Sequence, residues 1–383
     1  MKNVLIINQS SELYGADKAL LELIDNFPTE FTPIVVLENE GPLKEILMQK
    51  GIKVIKCPVI KLHKSIFTFS GLFKLFIDFF KGLYILRKET KTIEIEIVHS
   101  NAISVLIGAF YCFFFKKKHL WHVHEIIEHP KMIANFYPKL VYFFSDKIVF
   151  NSHASYNQFL KIKPEISSKS QVVYNGQNRL VPISNLEERN KIKSTIFNAP
   201  NKTIIGLVGR INKWKGQYIL LDAFYNLQKK HPYSHLVFVG SPPPGQDHYL
   251  HKLEQMITTY KLSHAVTIID FQNDIWPIYD AIDISVVPSI EPEPFGLVAT
   301  EAMLSYNPVV ATNHGGLSEI VVDNKTGFLV EPRNQKDLES KIEILLENPS
   351  LAKKMGHLGN ERVKKCFSTS LYVGAFDRIY KSF

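Results

Sequence analysis

The sequence predicts an α/β protein made of two doubly wound parallel sheets, and three observations carry that prediction. The chain has 383 residues, too many for one ordinary core and enough for two domains of common size. Short β-branched runs alternate with segments of helical period, and the runs are almost continuously apolar, as strands covered on both faces should be. Between two such series lies NGQNRLVPISNLEERN, residues 175–190, whose Gly, Pro and polar residues read as a linker. The expected division is therefore 1–182 and 183–366, with an amphipathic helix at 367–383 that either crosses back to the first domain or caps its own.

In the first half the strand-like runs are NVLIIN, TPIVVL, KVIKC, IEIVHSN, HLWHVHE, KIVFNS and QVVYN. The opening MKNVLIINQS goes straight into a strand without the apolar core and cleavage site of a signal peptide, so no export is expected. Cys57, Cys112 and Cys366 are odd in number and widely spaced, which fits a reducing, cytoplasmic compartment and no Cys-based metal site. Residues 103–115 are too short to span a membrane, and 66–86 are interrupted by Lys74, Asp78 and Lys81.

Residues 61–91 hold 7 basic and 2 acidic side chains, much of the net charge of +8. Lys74, Asp78 and Lys81 share a narrow stripe, while Phe67, Phe69, Phe73, Phe76, Phe79 and Phe80 populate the remaining surface. Two readings stand side by side: a peripheral helix lying on an anionic membrane surface at the inner face of the cell membrane, or a core-packed helix. Further on, His122 and His124 share one face of a strand. With His129 they invite a metal reading, but no acidic cluster or CxxC accompanies them, and no metal is expected. A structural role is the common alternative; the functional one has His124 touching a donor sugar or the reacting groups.

The second half repeats the rhythm with TIIGLVG, SHLVFVG, AVTIID, ISVVP, PVVAT and GFLV. Ligands in such sheets bind beyond the carboxyl ends of the strands, so the loops there carry the argument. After TIIGLVG comes RINKWKGQ, where Arg210 and Lys215 beside a Gly turn suit a diphosphate; a solvated basic loop is the plainer alternative. After ISVVP comes EPEPFGLVATE, with a helix expected to start near Phe295. The first amides, around Gly296, Leu297 and Val298, lack intrahelical acceptors and face the favourable end of the helix dipole for an anion. Glu301 then lies roughly 7.5 Å along the helix, and Glu293 lies in the loop on the other side. Neither carboxylate should touch phosphate, but both can accept from hydroxyls. Phosphates in the middle with a hydroxyl-rich ring at each end describe a nucleotide sugar, its ribose at Glu301 and its transferred sugar at Glu293.

Taken together, these residues resemble the retaining glycosyltransferases of family 4, which have the GT-B fold: two Rossmann-like domains facing a cleft. The resemblance runs along nearly the whole chain. It rests on Glu293 through Glu301 as the Glu-x7-Glu signature, GRINKWKG with Gly209, Arg210 and Lys215, His124 at its strand end, NHGGLSEIV at 313–321, and VVYNGQN before the linker. It implies a donor held by the C-terminal domain, probed first among UDP- and GDP-linked sugars, and no cofactor or bound metal. It further implies a glycan or lipid-linked glycan acceptor on the N-terminal domain, as in polysaccharide or lipopolysaccharide biosynthesis, and transfer with retention of configuration. His124 and Glu293 would be the catalytic-centre residues. Gly15, Gly209, Arg210, Lys215, Phe295, Gly296, Leu297, Val298 and Glu301 would bind the donor. One departure stands out: YGAD, Tyr14 to Asp17, replaces the family's Gly-Gly-Ala-Glu, keeping Gly15 but changing its neighbours. A catalytically silent scaffold of the same fold is the alternative from another class. Nucleic-acid binding is not expected, because the basic residues interleave with an apolar helix.

Overall fold

The computed structural model describes residues 1–60 and 69–383, with residues 69–72 described by backbone only. Phe67, and the side chain of Phe69, therefore lie outside the described residues. The chain divides into two units, Met1–Gly176 with Thr369–Phe383, and Gln177–Ser368.

The first unit alternates β1 (Lys2–Asn8), α1 (Gly15–Asp25), β2 (Phe31–Leu37), α2 (Pro42–Gln49), β3 (Lys53–Lys56), α3 (Phe69–Glu89), β4 (Ile95–Asn101), α4 (Leu106–Phe115), β5 (Lys118–Val123), α5 (Lys131–Phe144), β6 (Lys147–Phe150), α6 (His153–Ile162) and β7 (Ser170–Val172). Its sheet is parallel, in the order β3-β2-β1-β4-β5-β6-β7. Central strands such as β1, with Val4, Leu5, Ile6 and Ile7 all buried, are apolar on both faces because helices cover both.

The second unit holds α7 (Leu186–Thr195), β8 (Thr203–Val208), α8 (Gln217–Lys230), β9 (Ser234–Val239), α9 (His248–Thr259), β10 (Val266–Ile269), α10 (Trp276–Ala281), β11 (Ile284–Val287), α11 (Leu297–Leu304), β12 (Val309–Thr312), α12 (Leu317–Ile320), β13 (Gly327–Val330), α13 (Gln335–Glu347) and α14 (Pro349–Cys366). Its parallel sheet runs β10-β9-β8-β11-β12-β13. Strand order reverses between β1 and β4 in one sheet and between β8 and β11 in the other. At such switch points the loops leaving adjacent strands part to opposite faces and open a crevice at the carboxyl ends.

The last helix, α15 (Thr369–Lys381), belongs to the first unit. It buries Tyr372, Phe376, Ile379 and Tyr380 in a cluster with Leu20, Leu23, Val35 and Leu120. Thr369 Oγ1 donates to Glu22 Oε2 at 2.6 Å. The linker expected at 175–190 is shorter than its composition suggests, because α7 begins inside it. Asn185 and Glu188 form a reciprocal capping box that starts the helix at Leu186.

Candidate functional site

The switch point of the second sheet brings the two singled-out loops together. Gly216, at φ 83°, sits where a Cβ would lie 2.0 Å from the Pro288 carbonyl oxygen, so only glycine lets the β8 and β11 loops approach this closely. The Ile290 amide donates to the Trp214 carbonyl at 2.7 Å across the same junction. Within the β8 loop, Asn212 Oδ1 accepts from the Trp214 and Lys215 amides, both at 3.1 Å, and fixes the turn that presents Lys215.

Lys215 Nζ meets Glu293 Oε1 at 2.5 Å, with both side chains mostly buried, and Ser289 Oγ donates to the same oxygen at 2.6 Å. Burial pushes the Glu293 carboxyl up. The Lys215 charge, the hydrogen bonds from Lys215 and Ser289, and the Arg210 charge outweigh it and hold the carboxyl below its ordinary range. The glycine pair at 315–316 supports Glu293 from behind. The Gly316 amide donates to the Glu293 carbonyl at 2.7 Å, and a Cβ on Gly315, at φ 60°, would lie 2.3 Å from that oxygen. Gly209 completes the basic loop, with the Lys215 chain passing over it.

α11 begins at Leu297 behind an N-cap at Gly296, two residues later than Phe295. Phe295 is buried against Phe367, with ring centroids 5.7 Å apart, so it anchors the loop by its ring and has only its backbone to offer a ligand. Leu297 and Val298 are half-buried at the open end of the helix. Glu301 is buried one turn on, where it accepts from Gln177 Nε2 at 3.3 Å and Tyr279 Oη at 3.0 Å. Lys215 is thus paired with Glu293, Arg210 is near enough for its charge to act on the same carboxyl, and Glu301 sits one turn into the helix that this loop leads into.

His124 and Gly15 lie in the first unit. Gly15 opens α1 and is exposed. His124 follows β5, is 7% exposed, and hydrogen-bonds through Nε2 to Asn101 Oδ1 at 3.0 Å. Its ring lies 3.8 Å from that of His122, centroid to centroid, and burial pushes its pKa down to about 3. The neutral imidazole is therefore its resting state. His129 is exposed. Beside His124, Glu125 Oε2 accepts from the Ile103 and His124 amides, and burial raises its carboxyl to about 7.

Sequence reasoning missed Ser289, Tyr279 and Gln177, which set the orientation of the two glutamates. Ser289 directly follows the strand-like run ISVVP, so its strand-end position was a usable signal. Gln177 lies in VVYNGQN, read as the segment leading into the linker, and nothing there marked its side chain as a partner of Glu301.

Residues 188–362 match the family described as Glycosyl transferases group 1. Trehalose synthase of Pyrococcus horikoshii is 30% identical over 188 residues, 48% of this chain and 45% of that protein. The capsular polysaccharide biosynthesis glycosyltransferase CapM of Staphylococcus aureus is 30% identical over 197 residues, 51% of this chain and 50% of that one. The chain thus spans about half the length of the curated relatives it matches. Across 100% of both chains, HepE of Anabaena, solved in complex with UDP and glucose, superposes with a TM-score of 0.87 at 24% identity. The fold is the two-domain α/β fold of the GT-B class.

Proposed function

We propose that the chain is a retaining glycosyltransferase that moves a sugar from a nucleotide-sugar donor to a hydroxyl of a glycan acceptor. The observation that carries this is the β8/β11 switch point, where Lys215 pairs with Glu293 beside the Arg210 charge and just ahead of the N-terminus of α11. The group 1 match over 188–362 contains all of these residues. HepE, the structural neighbour with UDP and glucose, makes a UDP-linked donor the first to test.

In this reading the bond from the anomeric carbon to the diphosphate oxygen breaks and its electron pair leaves with the diphosphate. The acceptor oxygen bonds to the same face of the sugar, and its proton passes to the departing phosphate oxygen. Arg210, Lys215 and the α11 N-terminus stabilise the growing charge, where fixed donors act most strongly, so the chain itself supplies the cations. Glu293 holds sugar hydroxyls, Glu301 holds the ribose, and His124 orients the sugar. A panel of UDP-, GDP-, ADP-, CMP- and dTDP-sugars, read by thermal shift and slow hydrolysis, tests the assignment. One donor should stabilise the protein. Arg210→Ala and Glu293→Ala should remove that response and lower turnover by on the order of 100-fold. A folded protein silent across the panel would overturn the reading.

We further infer a lipid-linked or cell-surface glycan acceptor at an anionic inner membrane face, a reading in keeping with the capsular polysaccharide biosynthesis for which CapM is named. Support comes from the first unit's surface. Phe76, Phe80, Phe79, Phe114, Phe113, Phe144 and Phe143 form an unbroken chain of ring contacts across α3, α4 and α5, with centroids 4.7 to 6.4 Å apart. Five of these rings, Phe76, Phe80, Phe113, Phe114 and Phe143, are exposed. Lys74, Lys81, Lys116, Lys118 and Lys139 are exposed on or beside the same helices. Aromatic rings with interspersed lysines are the composition that enters a charged lipid interface. Among the described residues, no helix is long and apolar enough to cross a membrane.

A further inference from the structure

The unusual YGAD turn leads to a buried relay in the first unit. Asp17 Oδ1 accepts from Asn8 Nδ2 at 2.7 Å, and Asp17 Oδ2 accepts from Ser10 Oγ at 2.7 Å and the Tyr14 amide at 3.0 Å. The same Asn8 nitrogen donates to the Ser10 carbonyl at 2.8 Å. Asn8 Oδ1 is thereby turned towards Asn101, whose Nδ2 donates to it at 2.8 Å. That leaves Asn101 Oδ1 facing His124 Nε2 at 3.0 Å. Asn8, Asp17 and Asn101 are all essentially inaccessible to water. The four residues come from the carboxyl ends of β1, β4 and β5 and the first turn of α1, spanning the switch point of the sheet.

Each link has a direction. A carbonyl and a carboxylate oxygen can only accept here, so both point the Asn8 amide nitrogen towards themselves. Two amides passed head to tail then present an oxygen to the histidine, and an oxygen demands N–H. We propose that Asp17 is a positioning residue that fixes His124 as its Nε2–H tautomer through Asn8 and Asn101. The lone pair is then left on Nδ1, which has no hydrogen-bond partner among the described residues. Held this way, His124 accepts a hydrogen bond from a hydroxyl and offers no proton through Nδ1. Burial, with a smaller push from the Glu12 charge, holds the Asp17 carboxyl above its ordinary range, and the hydrogen bonds from Ser10, Asn8 and the Tyr14 amide offset that rise only in part; both of its oxygens are occupied by donors. Only the consequence for sugar binding rests on the transferase reading; the tautomer itself does not.

The test is long-range proton–nitrogen NMR on protein carrying 15N-histidine, with the His124 signals assigned by their loss in His124→Gln. The wild type should show hydrogen on Nε2 and a bare Nδ1. In Asp17→Asn the Tyr14 amide keeps the new side-chain oxygen, so its NH2 opposes the Asn8 nitrogen. The relay is frustrated, and His124 should shift to a mixture of tautomers or to Nδ1–H. Asn8→Ala, which cuts the relay while leaving Asp17 its other two donors, should release the tautomer as well. A merely structural Asp17, one that holds only the Tyr14 turn, predicts no change of tautomer in either single variant. A wild type with Nδ1–H, or single variants that keep the wild-type tautomer, would each overturn the proposal. None of these readings needs a donor sugar, so the relay and the transferase assignment fail separately.

Discussion

The Lys215–Glu293 contact is where single-residue chemistry decides most. A mostly buried carboxylate whose pKa is lowered by a partner contributes stability above the ordinary carboxylate range and loses it as pH falls through its folded pKa. Lys215→Ala removes the main opposing charge and leaves burial to push the carboxyl up. The variant should be destabilised by about 3 kcal/mol near neutral pH, the cost of a buried charge left without its partner. That deficit should shrink as pH falls to the ordinary carboxylate range of about 4, because the carboxyl that burial pushes up protonates earlier in the variant and sheds the unpaired charge. Urea midpoints at the two pH values check this, and an equal deficit at both would contradict it. Both residues were legible in the sequence by type and loop position. Their pairing was not, because they are 78 residues apart and only the β8/β11 neighbourhood joins them.

At the scale of elements, α15 shows how a helix can be visible while its partner is not. Its apolar positions are plain in the sequence, but two docking sites were open to it, and an amphipathic period does not say which surface it covers. The structure seats it on the first unit. Tyr380 Oη lies 2.8 Å from His99 Nδ1, and Phe376 stacks on the His99 ring at 5.4 Å. Tyr372, Phe376, Ile379 and Tyr380 are fully buried, and at about 2 kcal/mol each their removal costs about 8 kcal/mol. A domain of this size has about 5–15 kcal/mol in all. Deleting residues 369–383 should therefore unfold the first unit while the second still melts cooperatively, seen as loss of one of two calorimetric transitions. Tyr380→Phe, which only strands a buried imidazole nitrogen, should cost about 1–3 kcal/mol.

At the scale of the molecule, charge and exposed apolar surface act together. The formal net charge is +8, and the first unit adds a run of exposed phenylalanine rings across three helices. Sedimentation with anionic vesicles should show binding that weakens as salt is raised, since exposed charges are screened over about 10 Å at 0.1 M. Phe76→Ser with Phe80→Ser should abolish the remaining high-salt binding without lowering the melting temperature. A wild type indifferent to anionic vesicles would remove the membrane assignment and leave the donor site untouched. The sequence pointed to residues 61–91 alone. Phe113, Phe114 and Phe143 join that surface only because α4 and α5 pack alongside α3.

The sequence by itself determined the alternation of strands and helices, the doubly wound class, and which loops carry cations and carboxylates. Those features depend on period and residue type, which are local. Tertiary structure decided the pairing of Lys215 with Glu293, the seat of α15, and the Asp17–Asn8–Asn101–His124 relay. Each of these depends on strand order, which brings residues from distant parts of the chain to one end of a sheet. Hydrophobic period fixes that a strand is buried; hydrogen-bond complementarity and packing between whole elements fix which strand lies beside it.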